Sequence, residues 1–132
     1  MPETLMPTPP LNLLVIEDDA SLRELLKVHL EGLGYAIQTA GDAGEAIRLV
    51  LARPPDLILT DINIPYMNGL ELLEALKGDA LTRKVPVVIL SGRNDDESWI
   101  RATRLGAAGY VNKPVRLDEL VATLQRALPR AA

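Results

Sequence analysis

The feature that most constrains the fold of this chain is a repeated alternation of short apolar runs with segments of helical periodicity. Continuous apolar runs bounded by turn residues are typical of strands buried on both faces, and apolar residues recurring every three or four positions predict helices. The predicted strands are residues 13–16, 35–40, 57–60, 85–90 and 109–111, and the predicted helices are residues 21–33, 43–52, 70–77, 95–105 and 117–128. This alternation predicts an α/β domain with a doubly wound, five-stranded parallel sheet.

Glycines and prolines mark several of these boundaries. Gly32 and Gly34 bracket the end of the first predicted helix, and Pro54-Pro55 ends the second. Pro86 falls within the first positions of the fourth predicted strand, where a missing N–H is tolerated.

The two ends of the chain show no periodic pattern. Residues 1–10 carry four prolines, which predicts a flexible leader. Residues 129–132 follow the last predicted helix, and we interpret them as a tail or the start of a linker. The length of 132 residues suits one domain, which we place at residues 11–128.

The amino-acid composition excludes several classes of functional site. The absence of cysteine excludes a disulfide scaffold, a thiolate zinc site and thiol catalysis, and one histidine, His29, cannot build a multi-histidine metal site. The net charge of −4 argues against non-specific binding to nucleic-acid phosphates. The sequence carries no apolar run of membrane-spanning length and no secretory signal pattern. We expect a cytoplasmic domain whose chemistry comes from carboxylates, hydroxyls and lysine.

Polar residues stand directly after the predicted strands. In an open α/β sheet, ligands bind beyond the carboxyl ends of the strands. The residues at those positions are Glu17, Asp18 and Asp19 after the first strand, Asp61 after the third, Ser91 after the fourth, and Asn112, Lys113 and Pro114 after the fifth. We therefore predict that these side chains converge on one edge of the sheet.

These residue types suit a cation site beside a nucleophile. Asp18 and Asp61 offer the hard oxygen ligands that Mg²⁺ prefers. Neighbouring carboxylates raise one another's pKa, so a divalent cation or Lys113 is needed to keep them ionised. An aspartate can attack phosphorus, and the Ser91 hydroxyl can donate to an incoming anion. Phosphoryl transfer then depends mainly on positioning and electrostatics.

Four segments carry a resemblance to a known family. They read LLVIEDD at 13–19, DLILTDINIPYMNG at 56–69, PVVILSG at 86–92 and GAAGYVNKP at 106–114. Each segment alone is a weak pattern, but together and in this order they are specific. The chain resembles the receiver domain of two-component response regulators. The resemblance implies a (βα)5 flavodoxin-like fold with strand order 2-1-3-4-5.

The resemblance also implies roles for the acidic residues. Asp61 would accept a phosphoryl group from a histidine kinase or a histidine phosphotransfer protein. Mg²⁺ would be bound by Asp18, Asp61 and the backbone carbonyl of Asn63, with Glu17 acting through a water molecule.

Further roles follow from the same resemblance for the residues after the last two strands. Ser91 and Lys113 would contact the phosphoryl oxygens. Pro114 would be a cis-proline that orients Lys113, and Gly92 would support the site beside Ser91. Tyr110 would be the aromatic switch residue whose rotamer is coupled to the Ser91 hydroxyl.

A partner surface is implied as well. In the family, the face formed by the fourth helix, fifth strand and fifth helix changes its affinity for a downstream partner, and it often forms a phosphorylation-dependent homodimer. Here that face would be residues 95–105, 109–111 and 117–128. The chain would be a stand-alone receiver or a piece lacking an output domain. These residues suggest no direct nucleic-acid or membrane binding.

A few positions depart from the commonest pattern or have a plainer interpretation. Val115 stands where the family often has phenylalanine, while Asn63 and Arg93 occupy positions that tune phosphoryl lifetime. We interpret Asp19 as a helix cap. Trp99 is interpreted as a surface residue of the fourth helix, with a partner contact as the alternative.

Three other functions compete with the receiver interpretation. An aspartyl-phosphate phosphatase or phosphotransferase of the haloacid dehalogenase type normally has a second aspartate two residues after the nucleophile, where this chain has Asn63. A flavodoxin-like mononucleotide binder would need a hydroxyl- and glycine-rich loop in place of the acidic segment 17–19. The third is an interaction module that works without phosphorylation.

Overall fold

The computed structural model describes residues 9–92 and 96–128, and it contains the alternating elements in the predicted order. The strands are β1 (Asn12–Ile16), β2 (Ala36–Ala40), β3 (Leu57–Asp61), β4 (Val87–Ser91) and β5 (Gly109–Asn112). The helices are α1 (Ala20–Gly32), α2 (Ala43–Ala52), α3 (Gly69–Lys77), α4 (Asp96–Arg104) and α5 (Leu117–Ala127).

The strands form one parallel sheet in the order β2-β1-β3-β4-β5, which confirms the predicted fold class and strand order. The order of successive strands reverses at β1, because β2 lies on one side of β1 and β3 lies on the other. Ligands bind at such a reversal of strand order, beyond the carboxyl ends of the strands.

The core has two layers, one on each face of the sheet. Along β1, Leu14 and Ile16 pack on the face covered by α2, α3 and α4, whereas Leu13 and Val15 pack on the face covered by α1 and α5. Side chains alternate because successive residues of a strand point to opposite faces. All four are at most 1% exposed, so the prediction of a strand buried on both faces is confirmed.

The start of the fourth strand was predicted two residues too early. β4 begins at Val87, because the N–H of Val85 closes a turn onto the carbonyl of Thr82 and Pro86 has no N–H to give to the sheet. The last predicted helix ends at Ala127, and Leu128 caps it. Periodicity alone could not separate these flanking apolar residues from the elements they adjoin.

The first predicted helix also differs from the observed one. α1 runs from Ala20 to Gly32, and Leu33, the capping residue beyond it, is 51% exposed. Asp19 is the N-cap, since its side chain accepts hydrogen bonds from the N–H groups of Ser21 and Leu22. This confirms the interpretation of Asp19, and it ties the acidic segment to the start of the helix.

Some predictions fall on residues outside the described ranges. They concern residues 1–8 of the leader, Arg93, Asp95 as the first residue of the fourth helix, and the tail at 129–132. Of the leader, Pro9 and Pro10 are described, and both are exposed. Among the helices of residues 9–92 and 96–128, none is long and apolar enough to cross a lipid bilayer.

Candidate functional site

Four strands bring the predicted site residues to one edge of the sheet. Asp61 is the last residue of β3 and Ser91 the last of β4, while Glu17 follows β1 and Lys113 follows β5. Glu17, Asp61 and Ser91 are at most 4% exposed. The predicted convergence at the carboxyl ends of the strands is therefore found in the structure.

The centre of the site is an ammonium shared by two buried carboxylates. Lys113 Nζ lies 2.9 Å from Glu17 Oε1 and 2.8 Å from Asp61 Oδ2, and its side chain is 25% exposed. The charge-assisted hydrogen bonds compensate for the removal of both carboxylates from water. Lys113 thus fixes the position of Asp61 relative to β1.

Glu17 is held at both of its carboxylate oxygens. Its Oε2 accepts a hydrogen bond of 3.1 Å from the N–H of Asp19, while Lys113 occupies Oε1. Burial, together with the nearby charge of Asp61, nevertheless raises the pKa of Glu17 above its ordinary value of 4.5. The two buried carboxylates, Glu17 and Asp61, thus share a single ammonium, that of Lys113.

The pKa of Lys113 is also raised from its ordinary value. Burial alone would lower this pKa, but the hydrogen bonds to Asp61 and Glu17 outweigh the burial. A raised pKa means that the folded state holds the proton more tightly than the unfolded chain. The lysine therefore remains charged at neutral pH, and its stabilising contribution is lost only as the pH rises above 10.5.

Three carboxylates form the group that could hold a cation. Glu17, Asp18 and Asp61 each offer an oxygen, and these three oxygens lie within 4.8 Å of one another. Asp18 is exposed, whereas the other two are buried, so the cluster opens toward solvent through Asp18. Carboxylate oxygens around a solvent-accessible point suit Mg²⁺, which usually keeps several waters. The residues present therefore fit the predicted metal.

The backbone just after Asp61 donates a hydrogen bond to the Asp61 carboxylate. The N–H of Asn63 lies 3.3 Å from Asp61 Oδ1, and Asn63 itself is exposed. Each carboxylate oxygen of Asp61 thus has a described partner, the other being Lys113. This arrangement fixes both oxygens of the predicted phosphoacceptor.

Gly69 allows the β3–α3 loop to pack closely against the backbone of Asp61. Its N–H donates to the carbonyl of Ile62 at 2.7 Å, and a Cβ at this position would lie well inside van der Waals contact with the carbonyl oxygen of Asp61. No side chain fits there without moving the backbone at Asp61.

We expect Gly69→Ala to lower the free energy of unfolding by about 2 kcal/mol, because the added methyl group overpacks this contact. Gly44→Ala is the matched control, since both glycines lie in the first turn of a helix and the Gly44 methyl would be 3.4 Å from Asp42 Oδ1. Gly44→Ala should stabilise the domain by about 0.5 kcal/mol, through helix propensity. Urea denaturation measures both, and equal effects would contradict the role of Gly69.

The remaining predicted residues lie around this centre. The N–H of Lys113 donates to the carbonyl of Ser91 at 2.7 Å, which joins the ends of β4 and β5, and the Lys113–Pro114 peptide bond is cis. Gly92 is exposed immediately after β4. Tyr110 is half-buried against the core layer under α2, α3 and α4. The coupling of its rotamer to Ser91 stays a prediction.

One residue at the site was missed by the sequence analysis. The Arg23 guanidinium donates a hydrogen bond of 2.8 Å from Nη1 to the backbone carbonyl of Glu17. The available signal was position: Arg23 lies in the first turns of α1, which begins directly after the acidic segment. A charged residue there reaches back toward the end of β1 because helical side chains lean toward the N-terminus.

Comparison with known proteins decides the family. The family model described as the response regulator receiver domain matches residues 13–125. The chain belongs to the response regulator receiver domain family.

Receiver domains of several organisms are similar to this chain. The phosphate regulon transcriptional regulatory protein PhoB of Pseudomonas aeruginosa is 36% identical over 118 residues, covering 89% of this chain and 52% of PhoB. The transcriptional regulatory protein KdpE of Mycobacterium tuberculosis is 37% identical over 117 residues, covering 89% of this chain and 50% of KdpE. The chain therefore spans about half the length of these curated relatives.

A solved receiver structure matches nearly end to end. The chemotaxis response regulator CheY4 of Vibrio cholerae has a TM-score of 0.84 at 29% identity, covering 90% of this chain and 99% of CheY4. The family and the fold that the sequence motifs predicted are thus confirmed by independent comparisons of sequence and of structure.

Proposed function

We propose that this receiver domain is a phosphoacceptor of a two-component or phosphorelay system. Asp61 takes a phosphoryl group from a histidine kinase or a histidine phosphotransfer protein, in the cytoplasm. The observation that carries the proposal is the contact of Lys113 Nζ with both Asp61 and Glu17, beside a third carboxylate at the carboxyl edge of the sheet. Membership of the receiver family supports the same assignment.

The chemistry follows from charge and position. A carboxylate oxygen of Asp61 forms a bond to phosphorus while the bond from phosphorus to the imidazole nitrogen of the donor breaks, and the bonding electron pair returns to the imidazole. Lys113 compensates the charge of the phosphoryl oxygens, and the Ser91 hydroxyl donates a hydrogen bond to one of them. Asp18, Asp61 and the Asn63 carbonyl would hold Mg²⁺, with Glu17 acting through a water molecule, and the ion would supply further positive charge there when bound.

The output of this switch is the face formed by α4, β5 and α5. Two large apolar residues of α4 are exposed there, Trp99 at 54% and Ile100 at 41%. Tryptophan is enriched among the residues that contribute most of the binding energy of protein interfaces. We propose that phosphorylation changes the affinity of this face for a downstream protein, an output domain of a longer regulator, or a second receiver, with Tyr110 as the coupling residue.

Intact-mass spectrometry tests the phosphoacceptor proposal. The protein is incubated with acetyl phosphate in Mg²⁺ and, separately, in EDTA. We expect the mass of one added phosphoryl group in Mg²⁺ and none in EDTA. If acetyl phosphate gives no adduct, binding of beryllofluoride is measured next, and failure of both would contradict the proposal. Sustained release of phosphate over many turnovers would instead support a phosphatase.

We expect Asp18→Asn to abolish the stabilisation of the domain by Mg²⁺. A ligand at about 100 times its Kd stabilises the folded state by about 2.7 kcal/mol, and Asp18 is the exposed carboxylate through which the cluster opens to solvent. Thermal unfolding with and without Mg²⁺ measures the effect. Asp96→Asn, on α4, is the control and should keep the full response. An unchanged response in Asp18→Asn would mean that Asp18 is not a metal ligand.

A further inference from the structure

The peptide group between Glu17 and Asp18 is anchored by a side chain from α1. Arg23 Nη1 donates to the Glu17 carbonyl at 2.8 Å, and this contact is partly buried. The Glu17 carbonyl and the Asp18 N–H belong to the same planar peptide group. A hydrogen bond that fixes the carbonyl therefore also fixes the orientation in which the chain enters Asp18.

The neighbouring loop leaves space for this guanidinium. A Cβ at Gly41, directly after β2, would lie 3.2 Å from Arg23 Nη1, so the guanidinium would have to shift by a few tenths of an ångström. The strand before this loop also contacts Glu17, because the N–H of Glu17 donates to the carbonyl of Ala40, the last residue of β2, at 3.0 Å. Both backbone polar groups of Glu17 are thus fixed, one by β2 and one by Arg23.

We propose that Arg23 is a positioning residue for the cation site, and that Gly41 leaves the space that the Arg23 guanidinium occupies. Arg23 acts through the Glu17–Asp18 peptide group and sets the direction of the Asp18 carboxylate, while Lys113 and the Asp19 N–H hold the Glu17 carboxylate. Asp18 is the exposed member of the carboxylate cluster, so its direction depends most on its backbone. The inference rests on the proposed Mg²⁺ site.

Calorimetric titration with Mg²⁺ tests this role. Arg23→Met keeps the apolar stem and removes the donor, and it should weaken Mg²⁺ binding about tenfold, as expected when a group that orients a ligand is removed. Arg23→Lys restores a charged donor and should recover most of the affinity. Lys27→Met removes one positive charge from the same helix, one turn further on, and should bind as the wild type does.

The Gly41 contact gives a second, independent test. Gly41→Ala should weaken Mg²⁺ binding in the wild-type background and have no further effect in the Arg23→Met background, because the two changes act through one contact. Circular dichroism in EDTA establishes that each variant is folded at the temperature of the titration. If Arg23→Met unfolds, Arg23→Lys and Gly41→Ala carry the test.

The outcomes separate this inference from the proposed function. Wild-type affinity in Arg23→Met, or an equal loss in Lys27→Met, would overturn the role of Arg23. The same holds if Gly41→Ala has equal effects in both backgrounds. Absence of Mg²⁺ binding in the wild type would instead overturn the proposed metal site itself.

Discussion

Asp61→Asn abolishes phosphoryl uptake while leaving the domain folded; this is the largest effect we expect. The amide cannot act as the nucleophile, yet it has nearly the same shape. Its single carbonyl oxygen can still accept a hydrogen bond from one of the two donors that contact Asp61, Lys113 or the N–H of Asn63. Intact-mass spectrometry with acetyl phosphate and Mg²⁺ measures uptake, and circular dichroism measures folding.

Asp118→Asn is the matched control for the loss of one carboxylate charge. Asp118 is an exposed aspartate in the first turn of α5, with its side chain 78% accessible. This variant should take up one phosphoryl group as the wild type does. Labelling of Asp61→Asn at the wild-type level would place the acceptor at another residue and end the assignment.

Lys113→Met should have the second largest effect, on stability as well as on switching. Removing the ammonium leaves buried oxygens of Glu17 and Asp61 without their donor, and we expect the free energy of unfolding to fall by about 2 kcal/mol in EDTA at pH 8. The partial exposure of Lys113 allows water to replace part of the contact, which limits the loss. Addition of Mg²⁺ should restore part of the lost free energy of unfolding.

The loss should also depend on pH. The pKa of Glu17 is already raised, by burial first and by Asp61, and Lys113 is among the groups that lower it. Without Lys113 this pKa rises further. A carboxyl whose folded pKa exceeds its unfolded pKa binds more protons when folded, so stability falls as the pH rises through that interval. Lys113→Met should therefore lose less stability at pH 5 than at pH 8.

Urea denaturation at the two pH values measures this difference. Lys84→Met, an exposed lysine before β4, is the control and should change stability little at either pH. An equal loss at both pH values would show that the destabilisation does not arise from an ionised Glu17 carboxylate left without its partner, and no loss at either pH would show that the contacts of Lys113 contribute little. A variant that still responded normally to phosphodonor would contradict the proposed role of Lys113 in switching.

The fold was predictable because the strands of a doubly wound sheet are buried on both faces. Such strands appear in a sequence as continuous apolar runs, and the amphipathic segments between them must be helices that cover the sheet. The second helix was predicted at its observed bounds, Ala43–Ala52, because prolines follow it closely. The start of β4 was missed because Val85 is apolar but lies in a turn.

The sequence predicted which residues lie together at the edge of the sheet, but not which of them form hydrogen bonds and ion pairs with one another. Parallel strands place their carboxyl ends at one edge, so Glu17, Asp61 and Lys113 had to meet there. That Lys113 bridges both carboxylates depends on side-chain conformation, which no spacing reveals. The contact of Arg23 was not predicted because its partner is a backbone carbonyl. Every residue has a backbone carbonyl, so no residue type in the sequence indicates this contact.

The ion pair between Glu17 and Lys113 joins residues that are 96 positions apart. A chain still being synthesised already carries Asp61 while Lys113 has yet to be added. Such an incomplete chain has Asp61 without the ammonium that contacts it in the folded domain. Under the proposed chemistry, a half-made or locally opened molecule lacks the positive charge that compensates the phosphoryl oxygens. The proposed site is therefore complete only after residue 113 has been added and β5 has paired with the sheet.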